Sequence, residues 1–436
     1  MTATATTGRR SLAFHRNFRQ LWVGDALGQT GAQLTGLVLP VFAVTHLAAT
    51  EWQMGALGAA ESAAFLVIGL PTGAWVDRMR KRRVLIAADL VRAAALAVVV
   101  GAALAGAASM PLLYAAALVI GAATVFFDVA HQSYVPGLVG LDRVVEGNSK
   151  LTSTQFVAAV AAPAAGGALL RVVSAPALIA VTVVTYLSSA FFVGRIRHEE
   201  TLPAREDRRP LLAEIGEGLG FVVRQPLLRR IVACTSVGNL FGSISTALLA
   251  LFVLRELDVG EAALGAFLSA SATGGIAGAL LADRLSRWVG EGRIIPLSAL
   301  AFAPGYALTP LAVPLADAGV PPIATLITGG LVMNFAIVVY NVAQVSFRQR
   351  LCPPHLLGRM NASVRFIVWG TMPIGALLGG ALGARLGLVP TLWVAVAGTA
   401  LSALPVLLSP MLGMRELPVP STPHDDAGVR QARGRR

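Results

Sequence analysis

Gly73-Ala74-Trp75-Val76-Asp77-Arg78-Met79-Arg80-Lys81-Arg82-Arg83 joins two apolar runs, 52–76 and 84–106. Five basic residues crowd into positions 78–83, whereas the two runs hold one between them, Arg92. Runs of this length suit helices crossing a hydrocarbon layer about 30 Å thick. A charge-dense turn between two such helices belongs at a membrane surface, and Lys and Arg mark the cytoplasmic side.

The same alternation continues along the chain. Twelve apolar segments can be drawn, at 18–45, 52–76, 84–106, 110–132, 149–170, 176–194, 229–253, 260–281, 294–315, 321–345, 361–384 and 389–412. Of the 35 Lys and Arg, 30 fall in the tails, in every second connection or within two residues of them. The opposite connections hold Arg171, Arg255 and Arg385, and Arg92 and Arg365 lie inside spans. This asymmetry predicts a multi-pass protein of the bacterial inner membrane with both termini cytoplasmic. The pair Arg9-Arg10 is read as part of a basic tail, because no small-residue cleavage site follows it.

Composition supports the same class. The 436 residues are 55% apolar and 13% charged, where soluble proteins carry about a quarter charged residues. A soluble enzyme, a disordered chain and a disulfide-stapled domain are excluded, the last by a count of two cysteines. The net charge of +12 would suggest nucleic acid in a soluble chain. Sorted by loop, it reads as topology and implies contact with membrane lipid, not nucleic acid. The expected organisation is an N-tail (1–17), a six-helix bundle (18–194), a linker with an amphipathic helix (195–228), a second six-helix bundle (229–412) and a disordered C-tail (413–436).

The two bundles repeat each other. Asp77-Arg78 after the second span is answered by Asp283-Arg284 after the eighth. Pro163 with Gly166-Gly167 in the fifth span is answered by Pro373 with Gly379-Gly380 in the eleventh. Duplicated six-span halves point to an all-α membrane protein, twelve helices in two pseudo-symmetric bundles around a central cavity.

Gly73-x3-Asp77-Arg78-x-Arg80-Lys81-Arg82 resembles the loop 2–3 motif of the major facilitator superfamily. Phe18-Arg-Gln-Leu-Trp22, Phe127-Asp-Val-Ala130 and Leu356-Leu-Gly-Arg-Met-Asn361 are similar to its macrolide-efflux and enterobactin-exporter branch. The resemblance implies that Gly73, Asp77, Arg78, Lys81 and Arg82 form a latch against the eleventh span. Asp283 and Arg284 form the mirror latch against the fifth. Pro163, Gly166 and Gly167 resemble the antiporter motif of drug exporters, with Ala162 in place of its first glycine.

Polar side chains inside a membrane are costly and mark function or helix contact. Asp25, Gln29 and Gln33 share one face of the first span, and Thr124, Asp128 and His131 one face of the fourth. Ser236, Asn239 and Ser243 do so on the seventh, and Asn334, Asn341 and Gln344 on the tenth. Spans 1, 4, 7 and 10 are therefore expected to line the cavity, with spans 3, 6, 9 and 12 outside it. Arg365, one turn into the eleventh span, is placed to pair with Asp25 or Asp128. Glu61 has no basic residue in its own span and is the choice for proton carrier, with Asp25 and Asp128 as the other candidates.

Enzymatic signatures are missing. Neither lysine follows a glycine, so there is no Walker A lysine, and Gly-x-Ser-x-Gly does not occur. No cofactor or metal is expected. The expected function is secondary active transport of a small molecule by a monomer, as a proton-coupled exporter of amphipathic compounds such as drugs or siderophores. An importer or uniporter of a small metabolite is the alternative within transport, and a non-transporting scaffold or sensor the alternative outside it.

Overall fold

Backbone N–H and C=O groups inside a membrane have no water to bond, so each segment must satisfy its own. The computed structural model does this with helices. It describes residues 11–140, 142–198, 200, 211–353 and 356–415, without the side chains of Ala74, Asp77 and residues 211–215. The first half holds α1 (Arg16–His46), α2 (Glu51–Val67), α3 (Gly69–Asp77), α4 (Lys81–Leu104), α5 (Met110–Val139), α6 (Val144–Leu169) and α7 (Ala175–Gly194). The linker helix is α8 (Leu211–Arg224). The second half holds α9 (Pro226–Leu251), α10 (Glu261–Val289), α11 (Ile294–Leu300), α12 (Phe302–Asp317), α13 (Pro322–Leu351), α14 (Leu357–Leu386), α15 (Leu388–Ser402) and α16 (Leu404–Leu407).

These helices make twelve spans, because α2–α3, α11–α12 and α15–α16 are each one span in two pieces. Proline accounts for two of the breaks. Pro71 and Pro304 crowd the carbonyls of Val67 and Leu300, the last residues of α2 and α11. Among the described residues, ten stretches are individually long and apolar enough to cross a membrane. The other two spans are the broken α2–α3 and α6, whose first turns carry Glu146, Asn148 and Lys150.

The helices outrun the apolar segments. α5, α10 and α13 continue to Val139, Val289 and Leu351, and α6 and α14 start early, at Val144 and Leu357. Hydropathy stops where lipid stops, but helical hydrogen bonding does not. All five extensions lie on the face that carries the linker and the arginine-rich loops, called here the basic face. Here the chain is already ordered at Ser11, since the Glu146 carboxylate accepts from Ser11 Oγ (3.0 Å) and the Leu12 amide (2.7 Å). At the other end the Glu291 amide donates to the Arg415 carbonyl at 3.0 Å. The rest of the expected tails, 1–10 and 416–436, and linker residues 201–210 lie outside the described residues.

Both ends of the linker are held. Glu200 accepts from the Lys81 and Arg82 amides at 2.6 and 2.9 Å, capping the start of α4. Arg82 Nε reaches the Val193 carbonyl at 3.2 Å, and its guanidinium also meets the Gly194 carbonyl, closing the end of α7. Val222 on α8 is buried, while the side chains of Leu212 and Ile215 fall outside the description. A Cβ on Gly218 would sit 2.6 Å from the Arg359 carbonyl, and Glu217 pairs with Arg359. The amphipathic helix thus rests on the first turn of α14.

The two halves meet at the opposite face through glycines. A Cβ on Gly55 of α2 would lie 2.6 Å from the Ala376 carbonyl and from Gly380 Cα of α14. A Cβ on Gly265 of α10 would lie 2.4 Å from the Pro163 carbonyl and 2.7 Å from Gly167 Cα of α6. The two contacts are mirror images, Glu51-x3-Gly55 with Gly380 and Glu261-x3-Gly265 with Gly167. Replacing Gly55 by Leu is expected to cost this closed arrangement about 1–3 kcal/mol, a population shift of roughly five- to 150-fold. Spin labels at the exposed Trp52 and Leu386 should then report a longer distance. An unchanged distribution would mean that the glycine contact does not set the balance of states.

Candidate functional site

A cavity of about 380 Å³ lies between the halves, beneath the glycine contacts. α1 contributes Gly36 and Pro40, α2 Met54 to Phe65, α9 Ser243 to Ala250, and α14 Met372 and Ala376. Its wall is apolar except for a few hydroxyls and one ionisable group, Glu61. Glu61 is seated by close helix packing, because a Cβ on Gly121 of α5 would come within 2.2 Å of its carbonyl. Its Oε1 is buried and has no hydrogen-bond partner among the described residues. A buried polar atom of this kind needs an explanation, and a ligand or a proton supplies one.

A second space of about 780 Å³ opens at the basic face between α3, α5, α13 and α14. Phe65 lines both spaces and meets Trp369 edge to face, centroids 4.6 Å apart, so this pair divides the cavity from the vestibule. Arg365 lies 4.4 Å above the Trp369 ring, and its Nη1 is 3.4 Å from Gln132 Oε1. The molecule is therefore closed at the face opposite the linker and open at the basic face as far as the aromatic pair.

The first half also holds a buried charge network. Asp89 and Arg92 pair at 3.1 Å, and Ser189 Oγ donates to Asp89 at 2.6 Å. The Arg92 guanidinium stacks 4.6 Å over Phe127 and 5.4 Å from the Tyr186 centroid. Asp25, also buried, has His131 Nε2 at 3.3 Å, at an angle too poor for a hydrogen bond, and Gln29 Nε2 at 3.5 Å. Arg92, Arg365 and His131 are the cationic or protonatable groups acting on Asp128. The expected partnership of Arg365 with Asp25 is thus taken by His131, which lies one turn from Asp128 on α5, while Arg365 turns toward Gln132 and Trp369.

The amides separate. Asn239 and Asn341 line a cavity of about 220 Å³ inside the second half, with Thr235, Tyr306 and Tyr340. Asn334 Nδ2 bonds the Gly330 carbonyl of its own helix at 3.0 Å, Gln344 is buried, and Gln33 is half-buried on α1. Phe302 and Tyr306 of α12 and Thr399 of α15 reach this cavity from spans expected to lie outside. Those spans are expected outside because they hold no charged or amide side chain. An aromatic hydroxyl in an otherwise apolar run, such as Tyr306, was the available signal.

Around the loop motifs the described side chains are largely open. A Cβ on Gly73 would meet nothing within 4 Å, and Arg78 and Arg284 are exposed. Asp77 ends α3, with its side chain outside the description. Asp283 pairs with Arg287 on its own helix at 2.9 Å. Of the paired glycines, Gly166 faces Leu34 and Leu37 of α1, whereas Gly167 faces Gly265 of the other half.

Two six-helix halves around a cavity, sealed at one face and entered from the other, define a membrane transporter. The chain belongs to the Major Facilitator Superfamily, whose family model matches residues 21–375. It is 24% identical over 411 residues to macrolide efflux protein A of Streptococcus pyogenes, covering 92% of this chain and 97% of that one. It is 27% identical over 381 residues to the multidrug efflux pump Tap of Mycolicibacterium fortuitum, covering 82% and 87%. Among solved structures it resembles a bacterial homologue of the iron transporter ferroportin in an inward-facing state, with a TM-score of 0.71, 17% identity and coverage of 91% and 98%. The nucleoside transporter NupG matches with a TM-score of 0.69, 12% identity and coverage of 90% and 98%.

The aromatic divider carries a prediction. In a background lacking Cys234 and Cys352, a cysteine replacing Ser62 should react slowly with a bulky thiol reagent applied at the basic face. Adding Phe65→Ala should speed the reaction several-fold, and equal rates would place the barrier elsewhere.

Proposed function

We propose that this protein is a proton-coupled exporter of amphipathic cationic small molecules in a bacterial cytoplasmic membrane, acting as a monomer with both termini cytoplasmic. The observation that carries the reading is Glu61, a lone carboxylate in an apolar cavity between the halves, with a buried oxygen that has no protein partner among the described residues. An apolar wall binds an apolar body by excluding water, and a single desolvated carboxylate selects positive charge. The same carboxylate holds either a cation or a proton, so the two compete, and competition at one group is what antiport requires. The efflux names of the two relatives agree with this direction.

In this reading the basic face is cytoplasmic and the state described is the one that loads. A cation enters through the vestibule, passes the Phe65–Trp369 pair and displaces the proton of Glu61. Release at the outer face follows when the glycine contacts part. The loop residues Gly73, Asp77, Arg78, Lys81 and Arg82, with Asp283 and Arg284, then latch the cytoplasmic side by meeting the helix N-termini of the other half. The Asp25–His131 pair with Asp128, on α1 and α5 beside the vestibule, has the role of a charge-balanced gate.

Replacing Glu61 by Gln preserves shape but cannot titrate. Efflux driven uphill by a pH gradient in everted vesicles should disappear, while downhill exchange persists and probe binding loses its pH dependence. Uphill efflux intact in this variant, but lost in Asp25→Asn or Asp128→Asn, would assign coupling to that network. A reporter fused to the C-terminus should read as cytoplasmic, and an external signal would overturn the orientation.

A further inference from the structure

The cavity inside the second half belongs to no step described so far. It is bounded by α9, α12, α13 and α15, and it shares Ser243, Thr246 and Met372 with the central cavity, so the two spaces adjoin. The volumes are about 380 and 220 Å³. Cavities for drug-sized ligands run from about 300 to 1,000 Å³, so the pair, not the smaller one alone, has the size for such a molecule.

The chemistry of the two spaces differs. No charged residue lines the smaller one. Phe302 and Tyr340 form an aromatic wall, edge to face at 5.3 Å. The Tyr340 hydroxyl is already engaged, with Thr235 Oγ1 at 2.8 Å and the Ile231 carbonyl at 3.3 Å. Several other polar atoms on residues that line the cavity have no protein partner among the described residues. They include Tyr306 Oη, Asn239 Oδ1, whose amide nitrogen is taken by the Val368 carbonyl, and Asn341 Nδ2, whose oxygen accepts from Gln344. Gly242 leaves room for the tyrosine hydroxyl, since a Cβ there would come within 2.7 Å of it. The site thus offers a donor, an acceptor and a hydroxyl that does both, beside aromatic faces and without net charge.

We infer that this cavity is a second subsite, which takes the neutral, oxygen-bearing ring portion of a cationic amphipath whose charge is held at Glu61. The inference rests on the proposed function and adds to it a class of substrate: molecules joining an ammonium group to a hydroxylated or carbonyl-bearing ring system. Hydroxyl, ether or ketone oxygens on that ring complete the open positions of Tyr306, Asn239 and Asn341. A second charge would be desolvated there without a counter-ion and is rejected.

The test compares two probes on the full-length protein in nanodiscs. Tetraphenylphosphonium has a charge and aromatic rings but no hydrogen-bonding group. Doxorubicin has an ammonium group and a hydroxylated, carbonyl-bearing ring system. Tyr306→Phe, which removes one oxygen, and Asn341→Leu, which keeps the branched four-atom shape without its polar atoms, are each expected to weaken doxorubicin by about three- to tenfold, with tetraphenylphosphonium unchanged. Unchanged tetraphenylphosphonium affinity also reports that each variant is folded. Equal losses for both probes, or no loss for either, would overturn the subsite and leave the role of Glu61 standing. Failure of the wild-type protein to bind either probe would overturn the cation reading, and the subsite with it.

Discussion

Close approach of backbone to backbone, at Gly55 with Gly380 and at Gly167 with Gly265, is the contact on which the other features depend. Without a side chain at these points, four helices from two halves come together at one face. That contact forms the roof of the central cavity and leaves the helices free to spread at the basic face. In a membrane the attraction between helices comes from packing, not from excluding water, so close fit is what holds such a seam. A seam built this way has no strong directional bonds to break, which suits a contact that must open and re-form.

The second constraint is the cost of charge in a low-dielectric interior. The first half meets it locally: Asp89 has Arg92 and Ser189, Arg92 has two aromatic faces, and Asp25 has His131 and Gln29. Glu61 stands outside that network, in a cavity whose other lining residues carry no charge. The division gives the two halves different characters. The first holds the buried carboxylates, and the cavity inside the second offers amides, hydroxyls and aromatic rings.

Much of this was legible in the sequence, because the signals were strong and local. Apolar run length gave the twelve spans, and the repeated Asp-Arg and Gly-Gly pairs gave the two halves. Asp89 and Arg92, three residues apart on one helix, pair as that spacing allows. What was not legible depended on rotation and on contacts across the fold. Pro71 and Pro304 divide their spans, while Pro163 and Pro373 leave theirs continuous, and hydropathy does not distinguish them. His131 meets Asp25 only because α1 and α5 are packed side by side. Asn334 and Asn341 sit two turns apart on one helix, yet one bonds its own backbone and the other lines a cavity. The Phe65–Trp369 pair joins residues that look like lipid-facing aromatics in any linear reading.

The paired glycines separate two quantities that usually move together. Gly166 and Gly379 press on α1 and α9 of their own halves, whereas Gly167 and Gly380, one residue on, press on the other half. A methyl group added at the first position of either doublet would crowd a contact inside one half. Added at the second, it burdens only the arrangement in which the halves touch. Sequence drift at neighbouring positions can therefore change the fit between the halves without changing the fit inside each bundle. Contacts within a half and contacts between halves thus rest on different residues of one doublet.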